Sequence, residues 1–287
     1  MLEKDPLNLI LLNIGYAIHE ADWNWSTINS PFFRIYLVME GHSYVTIAGT
    51  KHLLTPGHLY LIPPFTLHSD SCDTHFSLYY IHVYENHLQD ISLFDEMSFP
   101  FEVEAFNVDK YLFQRLKEIN PDKELMFYDP KSYESSSILY SSIADSSHKK
   151  FPVFVETQGI LWQIFSRFLS KASGIVVTKD PRILKGIKYI HENIEKNMTI
   201  GELASLCFLS DDHFIRLFKQ EIGLTPIHYI NQKKIEASQL MMIIQNIPIK
   251  DVAFALSFEN ITYFNRLFRR LVGKTPTQYK KSLANPG

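Results

Sequence analysis

Apolar positions follow two different rhythms along this chain. Between Phe32 and Val83, short apolar or alternating runs (34–39, 44–47, 51–54, 59–62 and 77–83) are separated by turn residues such as Gly41, Gly49 and Pro56-Gly57. Short strands with regularly spaced turns predict an all-β sandwich or barrel. After Phe101 the period lengthens. Helices are predicted over 108–119 and 156–169, the latter carrying Ile160, Leu161, Ile164, Phe165 and Phe168 at helical spacing. Residues 120–150, with Pro121, Pro130 and many serines, read as loops around one short helix.

The last third contains one helical pattern twice. Phe214-Ile215-Arg216-Leu217-Phe218-Lys219 is followed by Gly223, Thr225-Pro226 and Tyr229. Fifty residues on come Phe264-Asn265-Arg266-Leu267-Phe268-Arg269, then Gly273, Thr275-Pro276 and Tyr279. Thr199 with Glu202 forms a capping-box sequence, and Ser210 with Asp211 and Asp212 starts a second helix. Gly223 suits the left-handed end of that helix, and Pro226 the first turn of the next. Helix, short turn, helix is the helix-turn-helix geometry, whose second helix enters the DNA major groove. Two copies are too few for a solenoid, which needs about three, and suit a paired binding device. The segment 227–245 reads as one connecting helix with a packed side of Ile235, Leu240, Met241 and Ile244.

Region 182–282 resembles the DNA-binding domain of the AraC/XylS family of transcriptional regulators, through Ile249, Asp251-Val252-Ala253, Phe258, Tyr263-Phe264, Arg266, Phe268, Gly273, Thr275-Pro276 and Tyr279. Three positions depart from that pattern. Ser257 stands where the family usually has Gly, Lys234 where it has Arg, and Ser238 where it has Ala. The string Pro56-Gly57-His58-Leu59-Tyr60-Leu61-Ile62-Pro63-Pro64, with His68 beyond it, looks like part of a cupin barrel, as in this family's sensor domains. The resemblance implies a two-domain protein: an N-terminal all-β cupin-like barrel with added helices and a C-terminal all-α double helix-turn-helix. Residues 1–100 would sense an effector, 101–170 add helices, 171–180 link, and 181–287 bind DNA.

Outward positions on the two second helices are the DNA-contact candidates: Asp212, His213, Ile215, Arg216 and Lys219, then Ile261, Thr262, Asn265, Arg266 and Arg269. Arginine pairs best with guanine and asparagine with adenine. In the family, base contacts fall on Asp212, Ile215 and Arg216, and on Ile261, Thr262, Asn265 and Arg266. A rigid connecting helix would hold the two readers about 34 Å apart, one DNA turn. Effector-pocket candidates are Arg34, Tyr36, Tyr60, His68 and Tyr80. Each aromatic one reads as barrel core before it reads as pocket lining, and Arg34 at least as readily as a solvated strand charge. Stacked aromatics make a carbohydrate the first effector class to consider.

Charge sharpens the division. Residues 181–287 hold fifteen Lys and Arg against nine Asp and Glu, a net of +6; residues 1–180 hold thirteen against twenty-two, a net of −9. Such an asymmetry is what one polyanion-facing segment and one that is not would show. Eight of the twelve histidines lie between His19 and His87, but no His-x-His pair follows Gly41, so neither a metal nor another cofactor is expected. Cys72 and Cys207 imply no disulfide framework. The apolar run 9–12 is far short of the ~20 residues of a membrane span, and the cytoplasm is the default location. The expected partners are double-stranded DNA, a small-molecule effector, RNA polymerase, and a second copy of the chain through 156–169. The rival expectation is a small-molecule-binding or catalytic cupin whose helical part mediates protein contacts.

Overall fold

The computed structural model describes residues 9–85, 92–133, 150–173, 180–244 and 247–284. The chain divides into two compact units. Of the described residues, the first holds 9–85, 99–133, 150–172 and 281–284; the second holds 92–98, 173, 180–244 and 247–280.

The described residues of the first unit form nine antiparallel strands. They are β1 (Leu9–Glu20), β2 (Trp25–Ile28), β3 (Phe33–Gly41), β4 (Ser43–Ile47), β5 (Thr50–Leu54), β6 (His58–Ile62), β7 (His68–Ser71), β8 (His75–Glu85) and β9 (Glu102–Glu104). One sheet has the order β1-β8-β3-β6-β9 and the other β2-β7-β4-β5, giving a cupin-like β-sandwich. Alternate residues point inward, so Tyr36, Val38, Tyr60, Ile62, Phe76, Leu78 and Tyr80 meet Trp23, Val45 and Leu54 in one core. The outer face of the larger sheet is covered too. Helix α2 (Asn107–Ile119) and the long helix α4 (Phe151–Leu169) pack there, with short α3 (Pro130–Tyr133) between them in sequence. Phe165 lies 5.3 Å from both Phe33 and Phe99, ring centre to ring centre. Arg167 holds the fully buried Asp109 at 3.0 Å.

Four strands are absent from the sequence reading. β1 begins as a continuous apolar run, Leu9 to Leu12, because both of its faces are covered and alternation is lost. β2, β7 and β9 are only three or four residues long.

The second unit is helical: α1 (Leu93–Glu96), α5 (Pro181–Glu192), α6 (Ile200–Leu206), α7 (Asp211–Ile222), α8 (Pro226–Ile244), α9 (Ile249–Ala255), α10 (Ile261–Val272) and α11, which begins at Pro276. The sequence repeat is a structural repeat. The tilted rings of Phe214 and Phe218 lie 5.5 Å apart and Phe218 meets Tyr229 edge-on at 5.6 Å; the second copy gives 5.7 Å for Phe264–Phe268 and 5.4 Å for Phe268–Tyr279. Gly223 and Gly273 close their helices in the same left-handed conformation, φ +80°. Thr199 and Glu202 make the reciprocal capping box. Ser210 sits at its N-cap without a side-chain cap bond, whereas Asn260 at the equivalent place accepts from the amides of Thr262 and Tyr263.

The connecting helix α8 corrects one expectation. Of the packed side expected there, only Ile235 is buried; Leu240 and Met241 are half-exposed, and Gln245 and the side chain of Ile244 lie outside the described residues. The face that is buried carries Lys234, Ser238 and Gln239 alongside Ile235 and Met242. Hydrophobicity alone points to the wrong side because these polar groups find internal partners. Ser238 Oγ donates to the Ile235 carbonyl at 2.7 Å, and Lys234 is bonded twice.

Candidate nucleic-acid interface

Each helix-turn-helix is built outward from a phenylalanine pair. In the first, α5 supplies Ile183, Ile187 and Ile190, α6 supplies Leu203 and Ala204, and Phe214 and Phe218 close the core from α7. Gly186 allows α5 to lie close: a Cβ there would sit 3.1 Å from Cys207 Sγ. The turn between α6 and α7 reverses the chain through Phe208 at φ +56°, and the turn between α9 and α10 through Ser257, also at φ +56°. The residue after each returns its amide to the preceding helix, Leu209 to Ala204 and Phe258 to Ala253, both at 2.9 Å. Ser257 therefore adopts the left-handed backbone that glycine would take more cheaply. Its hydroxyl donates to the Glu195 carbonyl at 2.5 Å.

With Phe214 and Phe218 turned inward, α7 leaves Asp212, Arg216 and Lys219 exposed and His213 and Ile215 half-buried; Leu217, expected inside, is also only half-buried. On α10, Phe264, Leu267 and Phe268 are buried while Ile261, Thr262, Asn265, Arg266 and Arg269 are exposed. Arg266 lies over the Tyr263 ring at 5.7 Å, and Arg270 adds a further exposed cation. These faces present hydrogen-bonding and cationic side chains to solvent, the equipment a groove and its phosphates require.

The five effector candidates lie in the first unit, and all are buried. Arg34 is 1% exposed, so it is no solvated strand charge. Its guanidinium donates to Ser30 Oγ at 2.8 Å and lies over the Phe32 ring at 4.7 Å. His68 and His82 share this interior with it. Burial, then the Arg34 charge, drops His68 to about 3 and holds His82 far below the ordinary imidazole value, so both stay neutral. Tyr36, Tyr60 and Tyr80 are packed in the aromatic core. The Tyr80 hydroxyl accepts from the Leu125 amide at 2.9 Å, and Tyr60 donates to Glu102 at 3.0 Å. The sequence reading misses Asn13, which faces His82 at 3.2 Å, because its strand is unrecognised. Among the described residues, no three His, Cys, Asp or Glu side chains gather as a metal-ligand set. None of the described helices is long and apolar enough to cross a membrane.

A cupin-like sandwich and a paired helix-turn-helix in one chain define a class, the ligand-sensing transcriptional regulators. Residues 15–119 match the AraC-like ligand binding domain and residues 203–282 a helix-turn-helix domain. The chain belongs to the AraC family of transcriptional regulators. It is 33% identical over 92 residues to the probable transcriptional regulator LumQ of Photobacterium leiognathi, covering 32% of this chain and 37% of LumQ. It is 24% identical over 102 residues to the arabinose operon regulatory protein of Escherichia coli K12, 35% of each chain. These matches therefore span well under two thirds of either relative. The fold resembles that of unsaturated-fatty-acid-bound ToxT from Vibrio cholerae, with a TM-score of 0.51 at 16% identity over 99% of this chain and 98% of that one.

Proposed function

We propose that this protein is a sequence-specific, double-stranded-DNA-binding regulator of transcription in the cytoplasm and not an enzyme, with α7 and α10 as its readers. The observation that carries this is the duplicated motif: two equivalently built helices expose Arg216 and Arg266 at matched positions. By family resemblance, Asp212, Ile215 and Arg216 of the first reader and Ile261, Thr262, Asn265 and Arg266 of the second face bases; His213, Lys219 and Arg269 complete the proposed DNA-contacting faces. Arg266→Ala is expected to weaken specific binding by about 1–3 kcal/mol and to relax selectivity at one base position. A gel-shift titration against selected duplexes measures this. A loss below about 0.5 kcal/mol would remove Arg266 from base contact. The wild-type affinity should fall steeply with salt, as phosphate contacts demand.

The first unit is proposed to bind a small-molecule effector that changes how the readers are presented, with Arg34, Tyr36, Tyr60, His68 and Tyr80 as its lining. A carbohydrate is the class tested first, by thermal shift, because the interior is aromatic and the arabinose operon regulator is a relative. A fatty acid, the ligand named for ToxT, is the second arm of the same screen. An effector shifts operator binding only by its differential affinity for two arrangements, typically about 1–3 kcal/mol. RNA polymerase is the proposed downstream partner, to be read by in vitro transcription.

A homodimer is proposed through α4, but not through the stripe Ile160, Leu161, Ile164, Phe165 and Phe168, which is buried within the first unit. The opposite face of α4 exposes Phe151, Val155 and Trp162 and is the surface available to a second copy. Sedimentation of the full chain, with Trp162→Glu as the disrupting variant, tests it.

A further inference from the structure

Lys234 is a buried lysine that holds two different motifs. It projects from α8, is 5% exposed, and has no carboxylate among its described partners. Its ammonium donates to the Lys196 carbonyl at 2.9 Å and to the Leu256 carbonyl at 2.7 Å. Lys196 lies in the first motif, in the turn between α5 and α6. Leu256 caps the C-terminus of α9 in the second. The side chain also lies over the Phe258 ring at 5.6 Å. Burial lowers its pKa, so the site carries a desolvation cost that the two charge-assisted bonds offset.

Its surroundings form a seam. Residues 195–197 of the first motif run beside residues 256–259 of the second. Ser257 Oγ donates to the Glu195 carbonyl at 2.5 Å, and Asn197 Nδ2 reaches Glu259 Oε1 at 3.4 Å. Nearby, Asn231 of α8 donates to the Tyr263 hydroxyl on the second reader at 3.0 Å. The seam edges an open cleft of about 370 Å³, so apolar packing alone does not fill the space between the motifs. A connecting helix fixes the distance between two bodies but not their rotation about it. Directional bonds across the seam supply that restraint.

We propose that Lys234 is a positioning residue that fixes the spacing and rotational phase of α7 and α10, so that the protein accepts operators with only one separation between half-contacts. The inference rests on the reading of both helices as DNA readers. Two weak contacts on a rigid body reinforce each other only where both can be engaged at once. One inserted base pair turns the second half-contact by about a tenth of a turn, since one turn takes ~10–10.5 base pairs.

The test uses the full-length protein and synthetic duplexes selected by it from a random pool, then remade with one base pair inserted or deleted between the two protected patches. Wild type is expected to lose about tenfold or more on either change, from the loss of simultaneous engagement. Lys234→Met is expected to lose less than about threefold on the same change while binding an isolated half-site like wild type. Lys234→Arg, which can still reach both carbonyls, is expected to restore the wild-type penalty. If folded Lys234→Met keeps the wild-type penalty, the positioning role is overturned and the paired reading stands. A single protected patch in wild type, with no spacing penalty, overturns the paired reading and the inference with it. Should Lys234→Met not fold, the Asn197→Ala, Asn231→Ala double variant takes its place: a reduced penalty supports the restraint by the seam, and an unchanged one overturns it.

Discussion

Lys233→Met is expected to destabilise the protein by about 3–5 kcal/mol, the cost of leaving buried charges without their counter-ion. Lys233 is enclosed by Asp95 of α1 and by Glu236, whose carboxylate is 2.7 Å away. All three side chains are only 11–14% exposed. Burial alone would depress the ammonium's pKa; attraction to Glu236 and Asp95 outweighs that and holds it above the ordinary lysine range. Burial pushes Glu236 upward, and Lys233 opposes the shift only in part. With the cation gone, two carboxylates would face each other in a poorly solvated place, beside the Tyr229–His191 pair at 2.8 Å. Glu236, already pushed upward by burial, would take up a proton more readily, so the variant's deficit should shrink as the pH is lowered towards 5. Urea unfolding at pH 7 and pH 5 reads both effects. Combining Lys233→Met with Asp95→Asn and Glu236→Gln should recover most of the loss, because an isosteric neutral cluster has no charge to strand. A single-variant loss below about 1 kcal/mol would mean that the network is effectively solvated.

Acidification from pH 7 to pH 5 should itself cost the wild-type protein about 4 kcal/mol, roughly 2 from each of two buried histidines. His68 keeps its ring proton on Nδ1, donated to the Thr66 carbonyl at 2.8 Å, and His82 is fully buried against Asn13. Both have depressed folded-state pKa values, His68 near 3. Between pH 6.5 and about 3, the unfolded chain therefore binds protons that the folded chain refuses, and stability falls as pH falls. Above 6.5 both forms are neutral and the term vanishes. His75 acts in the opposite sense. Hydrogen bonding to Glu20 raises its pKa, so its contribution is complete below 6.5 and lost as pH rises; being exposed to solvent, it is a small correction. The urea midpoint should drop between pH 7 and pH 5, and His68→Gln should halve the drop. A flat profile would place water beside these rings.

Much of this architecture is legible in the residues. The repeat is legible because the same phenylalanines, glycines and prolines recur at fixed offsets, and each has a local physical job. The long, alternating strands are legible for the same reason. What hides is whatever depends on partners distant in sequence. β1 looks like a mere apolar run until the sandwich core on one side and helices α2 and α4 on the other cover its two faces. Arg34 reads as readily as a solvated charge as a pocket residue because nothing nearby in sequence announces an enclosed site. Lys234 is hidden twice over: a lysine in an amphipathic helix is assigned to solvent by default, and its partners are backbone carbonyls, which leave no mark on the sequence. In the readers, the outward positions follow from the buried Phe spacing, while the phase between them depends on the seam.

Residues 92–98 pack with the helical unit, although strands of the sandwich precede and follow them in the chain. The C-terminal unit is therefore not a self-contained module in the sense a gene fusion assumes. A protein truncated to begin at 180 would lose Asp95 and keep Lys233, leaving the lysine with Glu236 and one counter-charge fewer. Recombination between regulators at that boundary would carry the same mismatch into each hybrid. A graft that brings residues 92–98 along, or one that replaces Lys233 with a neutral residue and Glu236 with glutamine, avoids it.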